Sequence, residues 1–245
     1  MSLWILGGAS FVAWFISMLA GGGSPLVLIP IVSVLLGAQA VAPVITLGML
    51  IGNLQRTVVF RQAIDWQITR WQMPGALFGA ILGSYLFTQI QAAWLQGLVA
   101  IALLLMAINT GLGRGKLAIP IKAWYFMPLA AFNAVLSGIV GSTGPVLNPI
   151  YLSYGLDKET LIATKSVNVA AMHVVKLLTY LSLGVMNPTY LVYGLVIGVA
   201  AIPANWLGQQ FLERMSSAQF RQVVLGFVAV SGMWMLWQQR SLVVF

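Results

Sequence analysis

Gly21-Gly22-Gly23-Ser24-Pro25 and Gly141-Ser142-Thr143-Gly144-Pro145 interrupt two apolar stretches in the same way. Each turn is followed by another proline (Pro30, Pro149), by a glycine (Gly37, Gly155) and, nine residues after that glycine, by a threonine (Thr46, Thr164). Further on, Leu82-Gly83-Ser84-Tyr85-Leu86 aligns without gaps on Leu207-Gly208-Gln209-Gln210-Phe211. The chain is therefore an internal repeat. Apolar runs bounded by Gly, Pro and charge predict five helical segments in each copy. The first set is Leu3 to Ala20, Pro25 to Leu36, Ala40 to Phe60, Trp71 to Gln89 and Ala93 to Leu112. The second is Lys122 to Val140, Pro145 to Tyr154, Thr160 to Leu183, Pro188 to Leu212 and Gln219 to Gln239.

Composition sets the solvent. Of 245 residues, 60% are hydrophobic, and only 12 Lys or Arg and 4 Asp or Glu are present. So few charges cannot cover a soluble domain of this size. The charge-free runs reach or exceed the roughly 18 residues that read as a membrane span. The net charge of +8 is scattered over short connections, which fits cytoplasmic loops of a membrane protein and argues against a nucleic-acid partner. Cysteine is absent, so a thiol nucleophile or thiolate metal site is excluded. The apolar N-terminus has no basic residue ahead of it and no small-residue cleavage site, so it reads as a mature helix and not as a signal peptide.

The segments after the two turns are short, about half the hydrocarbon thickness at 1.5 Å per residue. If each turn reverses the chain, both repeats cross an odd number of times and are inverted. The basic connections Arg61 to Arg70, Arg114 to Lys122, Lys158 to Lys165 and Arg214 to Arg221 then share one side, as cytoplasmic Lys and Arg do. The expectation is an all-α membrane protein of two inverted repeats, each a Gly/Pro-broken helical hairpin plus three transmembrane helices. Residues 1–113 form the first repeat, 114–121 a cytoplasmic connection and 122–245 the second repeat, with both termini outside. Repeats with broken helices are a common construction of secondary transporters.

These residues resemble the TauE/SafE family of membrane proteins, exporters of sulfite, sulfoacetate and related anions, and the resemblance covers nearly the whole chain. The matching features are Gly21 to Pro25 with Pro30, Gly37 and Thr46, Gly141 to Pro145 with Pro149, Gly155, Ala163 and Thr164, and the small-residue ladders Gly75, Gly79, Gly83 and Gly194, Gly198, Gly208. The resemblance implies transport of a sulfur-containing anion across the cytoplasmic (inner) membrane, in the outward direction, with the lipid bilayer and a small anion as partners.

The residues themselves say how an anion could be held. A helix start presents unpaired N–H groups and about half a positive charge. Inverted half-helices aim two such ends at one midplane region, where Gly21, Gly22, Gly23, Gly141 and Gly144 allow close backbone approach. Ser24, Ser142 and Thr143 add hydroxyls, and Pro25 and Pro145 open the half-helices. Close helix crossing would explain either turn alone; the matched pair favours an anion site. Arg56 and Lys176 lie well inside long helices, where each can attract substrate or snorkel to a membrane face. Lys165, near a helix start, reads first as an interfacial anchor, while its place beside Thr164 and Ser166 in the matched motif keeps a site role open. His173 is the only histidine; a packing role is the plainer reading and a proton relay or anion contact the sharper one. Asn53, Asn148 and Asn168 are polar groups in apolar segments, available for helix-to-helix hydrogen bonds or for lining a pathway. Asp65, Asp157, Glu159 and Glu213 fall in connections or at helix ends. No metal, cofactor or catalytic dyad is implied, and an anion channel is the alternative to a carrier. Most Trp residues, including Trp4, Trp66, Trp71, Trp94, Trp124, Trp206 and Trp237, fall near span ends as an interfacial belt would. The glycine ladder Gly75, Gly79, Gly83 marks one face of a closely packed helix.

Overall fold

The computed structural model describes residues 2–89 and 121–243. The expected helix from Ala93 to Leu112 and residues 114–120 of the expected connection lie outside them. The described elements are α1 (Ser2–Leu19), α2 (Ser24–Leu36), α3 (Ala38–Val59), α4 (Trp66–Phe87), α5 (Phe126–Val140), α6 (Asn148–Tyr154), α7 (Lys158–Ser182), α8 (Pro188–Arg214) and α9 (Ser217–Val243). Short 3-10 turns at Arg61–Ala63 and Ala123–Tyr125 precede α4 and α5. The described residues contain no strand. Among the described residues, three helical stretches, Ala123–Val140, Lys158–Ser182 and Pro188–Arg214, are long and apolar enough to cross a membrane.

The helix starts follow the local chemistry of the sequence. The carboxylates of Asp65 and Asp157 accept from Ile68 N at 2.9 Å and Thr160 N at 2.8 Å, and the Asn187 amide oxygen accepts from Tyr190 N at 2.9 Å, so each satisfies an otherwise orphaned N–H at the start of α4, α7 or α8. Glycine ends α1 and α5. Gly21, Gly22 and Gly23 have φ of 66°, 139° and 112°, and Gly141 and Gly144 have 95° and 60°, a left-handed region open to glycine. The first short helix, α2, has 13 residues, about 20 Å at helical rise. The second differs from the expected Pro145 start. Residues 144–147 form turns, and α6 begins at Asn148 and has seven residues.

Helix α4 packs on α5, and α1 on α8; α3 also meets α8, and α7 meets α4, while α3 and α7 pack on each other. Exchanging α1 with α5, α3 with α7 and α4 with α8 maps this set onto itself. The two crossings with the closest counterparts differ in kind. A Cβ on Gly75, Gly79 or Gly83 would fall 2.1, 2.2 or 2.3 Å from the carbonyl oxygens of Met127, Ala131 or Val135, so α4 and α5 touch backbone to backbone. On α8, Gly194, Gly198 and Gly208 instead receive the side chains of Leu47, Ile51 and Met18.

Residues 61–65, 158–164 and 212–215 gather at one end of the bundle. Asp65 N donates to Thr164 Oγ1 at 2.8 Å, and Lys158 Nζ donates to the carbonyls of Leu212 and Met215 at 2.8 and 2.7 Å, satisfying the end of α8. Trp4, Trp66, Trp71, Trp124 and Trp206 are exposed on the outside, whereas Trp14 is fully buried. Trp94 and the side chain of Trp237 lie outside what is described.

Candidate functional site

The carbonyl groups of the first glycine turn are held from the other repeat. Asn148 Nδ2 donates to Ala20 O and Gly21 O, both at 3.2 Å, and Lys165 Nζ donates to Gly21 O at 2.9 Å and to Asn148 Oδ1 at 2.7 Å. The third ammonium proton of Lys165 has no acceptor among the described residues. The second turn comes against the first, because a Cβ on Gly144 would lie 3.5 Å from Gly23 Cα. Both turns line a cavity of about 40 Å³, together with Asn53 and Arg56 of α3 and Lys165 and Asn168 of α7. Two water-sized molecules or a compact anion need space of this order.

Arg56 reaches the cavity well supported. Its Nε donates to Asn205 Oδ1 at 2.8 Å, its Nη2 to Trp14 O at 3.2 Å and Ser17 Oγ at 3.3 Å, and its guanidinium lies 4.7 Å from the centre of the Trp14 ring. Asn205 Nδ2 in turn donates to Gly52 O at 3.1 Å, which fixes the orientation of that amide. Arg56 is 3% exposed, and Lys165 is half-buried. Neither is paired with a carboxylate: Asp65 and Asp157 cap helices, Glu159 lies in the first turn of α7, and Glu213 accepts from Gln209 Nε2 at 2.9 Å. The lining thus carries two cations and no acid.

Of the residues singled out in the sequence, Gly21, Gly22, Gly23, Ser142, Thr143, Gly144, Asn53, Arg56 and Asn168 line the cavity. Thr143 Oγ1 donates to Asn133 Oδ1 at 2.7 Å. Several others stand behind it. Ser24 Oγ donates to Met49 Sδ at 3.5 Å, Pro25 and Pro145 are buried beside their turns, and Gly141 packs on Val41 and Ala42. Asn148 braces the first turn, and Thr164 holds the Asp65 connection. Thr46 is buried, and His173 is buried with neither ring nitrogen hydrogen-bonded among the described residues.

Lys176 is also away from the lining. It is fully buried, and its Nζ donates to Ser137 O at 2.8 Å, Ser137 Oγ at 3.2 Å and Gly141 O at 2.6 Å. With Tyr180 Oη donating to Gly138 O, it caps the carbonyl end of α5, where cationic side chains are favoured. Arg56 has the matching place in the first repeat, beside Ser17 at the end of α1, but it extends to the cavity as well.

Lys165 is the main cavity residue that sequence position undervalued: as an interfacial anchor it would face lipid headgroups, and here it faces the glycine turn. Its signal was the spacing to Asn168, one turn on along the same helical face. Gln72 and Asn133 also line the cavity, and each was legible as an amide inside an apolar helix. Tyr151 Oη donates to Gln72 Oε1 at 2.6 Å, leaving Gln72 Nε2 as a free donor.

A helical membrane protein whose buried cavity offers cations and amides belongs with the solute transporters. The family model described as sulfite exporter TauE/SafE matches residues 6–235, nearly the whole chain, and the protein belongs to that family. No curated protein and no solved structure matches the sequence.

Proposed function

We propose that the protein is a multi-pass carrier of the cytoplasmic membrane that exports a small sulfur oxyanion or organosulfonate, with sulfite the first candidate. The observation that carries this reading is the pairing of Arg56 and Lys165 in one cavity with no carboxylate near, so that the missing counter-charge is an anion. Gly21 to Gly23 and Ser142 to Gly144 bring backbone amides and hydroxyls to the same space, near the membrane midplane. Ser24, Pro25, Gly141, Pro145, Asn148 and Thr164 lie in or beside the turns and connections that hold the lining, and Lys176 fixes the carbonyl end of α5 that leads into the second turn. A two-fold repeat is supported by the exchange symmetry of the helix packing. Its inversion is supported by matched helices that run in opposite senses: the end of α3 and the start of α4 lie with the start of α7 and the end of α8. The gathering of residues 61–65, 158–164 and 212–215 at one end agrees with a cytoplasmic face rich in Lys and Arg. The family description supports both the substrate and the outward direction.

The test is flux of sulfite from proteoliposomes holding the full chain. A carrier gives saturable efflux that unlabelled sulfite on the opposite side accelerates. Unitary conductance steps without such counterflow would assign a channel, and absence of sulfite flux in either assay would refute the reading.

A further inference from the structure

Asn53 and Asn168, one on α3 and one on α7, line the cavity and make the same internal bond. Asn53 Nδ2 donates to Met49 O at 2.8 Å, and Asn168 Nδ2 donates to Thr164 O at 2.7 Å, each to the carbonyl four residues earlier. A carbonyl only accepts, so the amide nitrogen has to face it; turning either amide over would set two acceptors against each other. The orientation of both side chains is therefore dictated by the backbone, and the oxygen is left over. Asn168 is 1% exposed, and its Oδ1 is buried with no donor. Asn53 is 3% exposed; its Oδ1 is not fully enclosed, and it accepts from no donor among the described residues.

A buried acceptor without a donor is costly, as at Asn168 Oδ1, and both side chains belong to the lining of a cavity in which Arg56, Lys165 and Gln72 donate. Arg56, the spare Lys165 proton and Gln72 Nε2 suit an anion, but an oxyanion that only accepts leaves both asparagine oxygens unanswered. A metal cation would answer them, yet the two neighbouring positive charges oppose it. We infer that the cavity selects anions that carry a hydrogen-bond donor of their own, an O–H or N–H beside the oxyanion, received by Asn168 Oδ1 and Asn53 Oδ1. Within the proposed anion transport, on which this inference rests, the favoured form of an inorganic oxyanion is the protonated monoanion.

Methanesulfonate and sulfamate test it. Both are monoanions with a sulfonate head and nearly the same size, and they differ in presenting a methyl or an amino group. Each is added as a competitor of sulfite flux in proteoliposomes of the full chain. Sulfamate is expected to compete about tenfold better, the worth of one satisfied buried acceptor. In Asn168→Leu protein that elutes as the wild type does, the ratio falls to near one. Equal competition by the two anions in the wild type, or no competition by either while sulfite flux persists, overturns the inference and leaves anion transport standing. A variant that keeps the wild-type ratio removes Asn168 from the role. Absence of sulfite flux itself refutes the transport reading instead.

Discussion

Gly23 and Gly144 meet across the two repeats, with a Cβ on Gly144 placed only 3.5 Å from Gly23 Cα. The two positions nevertheless differ in what a side chain would strike. At Gly144 the space is ordinary contact distance, so Gly144→Ala meets only the strain of a left-handed backbone, about 1–2 kcal/mol. At Gly23 a Cβ would fall 2.0 Å from Phe227 Cε1, in addition to a φ of 112°. Gly23→Ala is expected to lower the melting temperature of the purified protein more than Gly144→Ala, and the reverse order would contradict this packing of α9 over the first turn.

The two glycine ladders predict different rescues. Gly79→Ala sets a methyl group against the Ala131 carbonyl, which cannot move without separating α4 from α5, whereas Gly198→Ala meets the Ile51 side chain. Pairing Gly198→Ala with Ile51→Ala removes the contacts to Cδ1 and Cγ1 but leaves Ile51 Cβ 2.7 Å away, so it should recover part of the lost stability. No comparable recovery is expected from trimming Ala134 beside Gly79. Thermal melts of the four proteins decide the matter.

Lys165 and Lys176 should separate transport from stability. Lys165→Gln removes a cavity charge; attraction between unit charges is about 4 kcal/mol at 4 Å and an effective dielectric of 20, so partial loss should weaken sulfite flux more than tenfold. The melting temperature should fall less than in Lys176→Met, because Gln can still donate and Gly21 O keeps Asn148 as a donor. Lys176→Met leaves Ser137 O and Gly141 O without their donor and should cost about 3 kcal/mol of stability. A silent Lys165→Gln would remove that residue from the site.

His173 is buried with both ring nitrogens unpaired. Replacing it by leucine removes two unanswered polar atoms at similar volume, a change that is neutral or stabilising when nothing partners them. His173→Leu is therefore expected to melt at or above the wild-type temperature. A fall of several degrees would show that the ring has partners, such as buried water, that the protein depends on.

Topology can be measured at position 62, which is exposed in the turn between α3 and α4. The chain has no cysteine, so Gln62→Cys gives a single thiol. A membrane-impermeant maleimide should label it only after the cells are opened. Labelling of intact cells would reverse the proposed orientation.

The helical membrane class, the paired glycine turns and the packing role of Gly75, Gly79 and Gly83 were legible in the order of residues alone. They depend on local facts: apolar run length, glycine's tolerance of positive φ, and the four-residue spacing that puts small groups on one helix face. The start of α6 was less legible, because Gly144 and Pro145 also suit the turns that occupy residues 144–147. Tertiary structure alone separated Lys165 from Lys176. Position along a helix tells how deep a charge lies, but not whether a glycine turn or the carbonyl end of a neighbouring helix stands opposite it. The same holds for Asn53 and Asn168. Their type announced a polar group in an apolar helix, but which atom each presents follows from a backbone carbonyl one turn away, with no donor among the described residues to hold the oxygen.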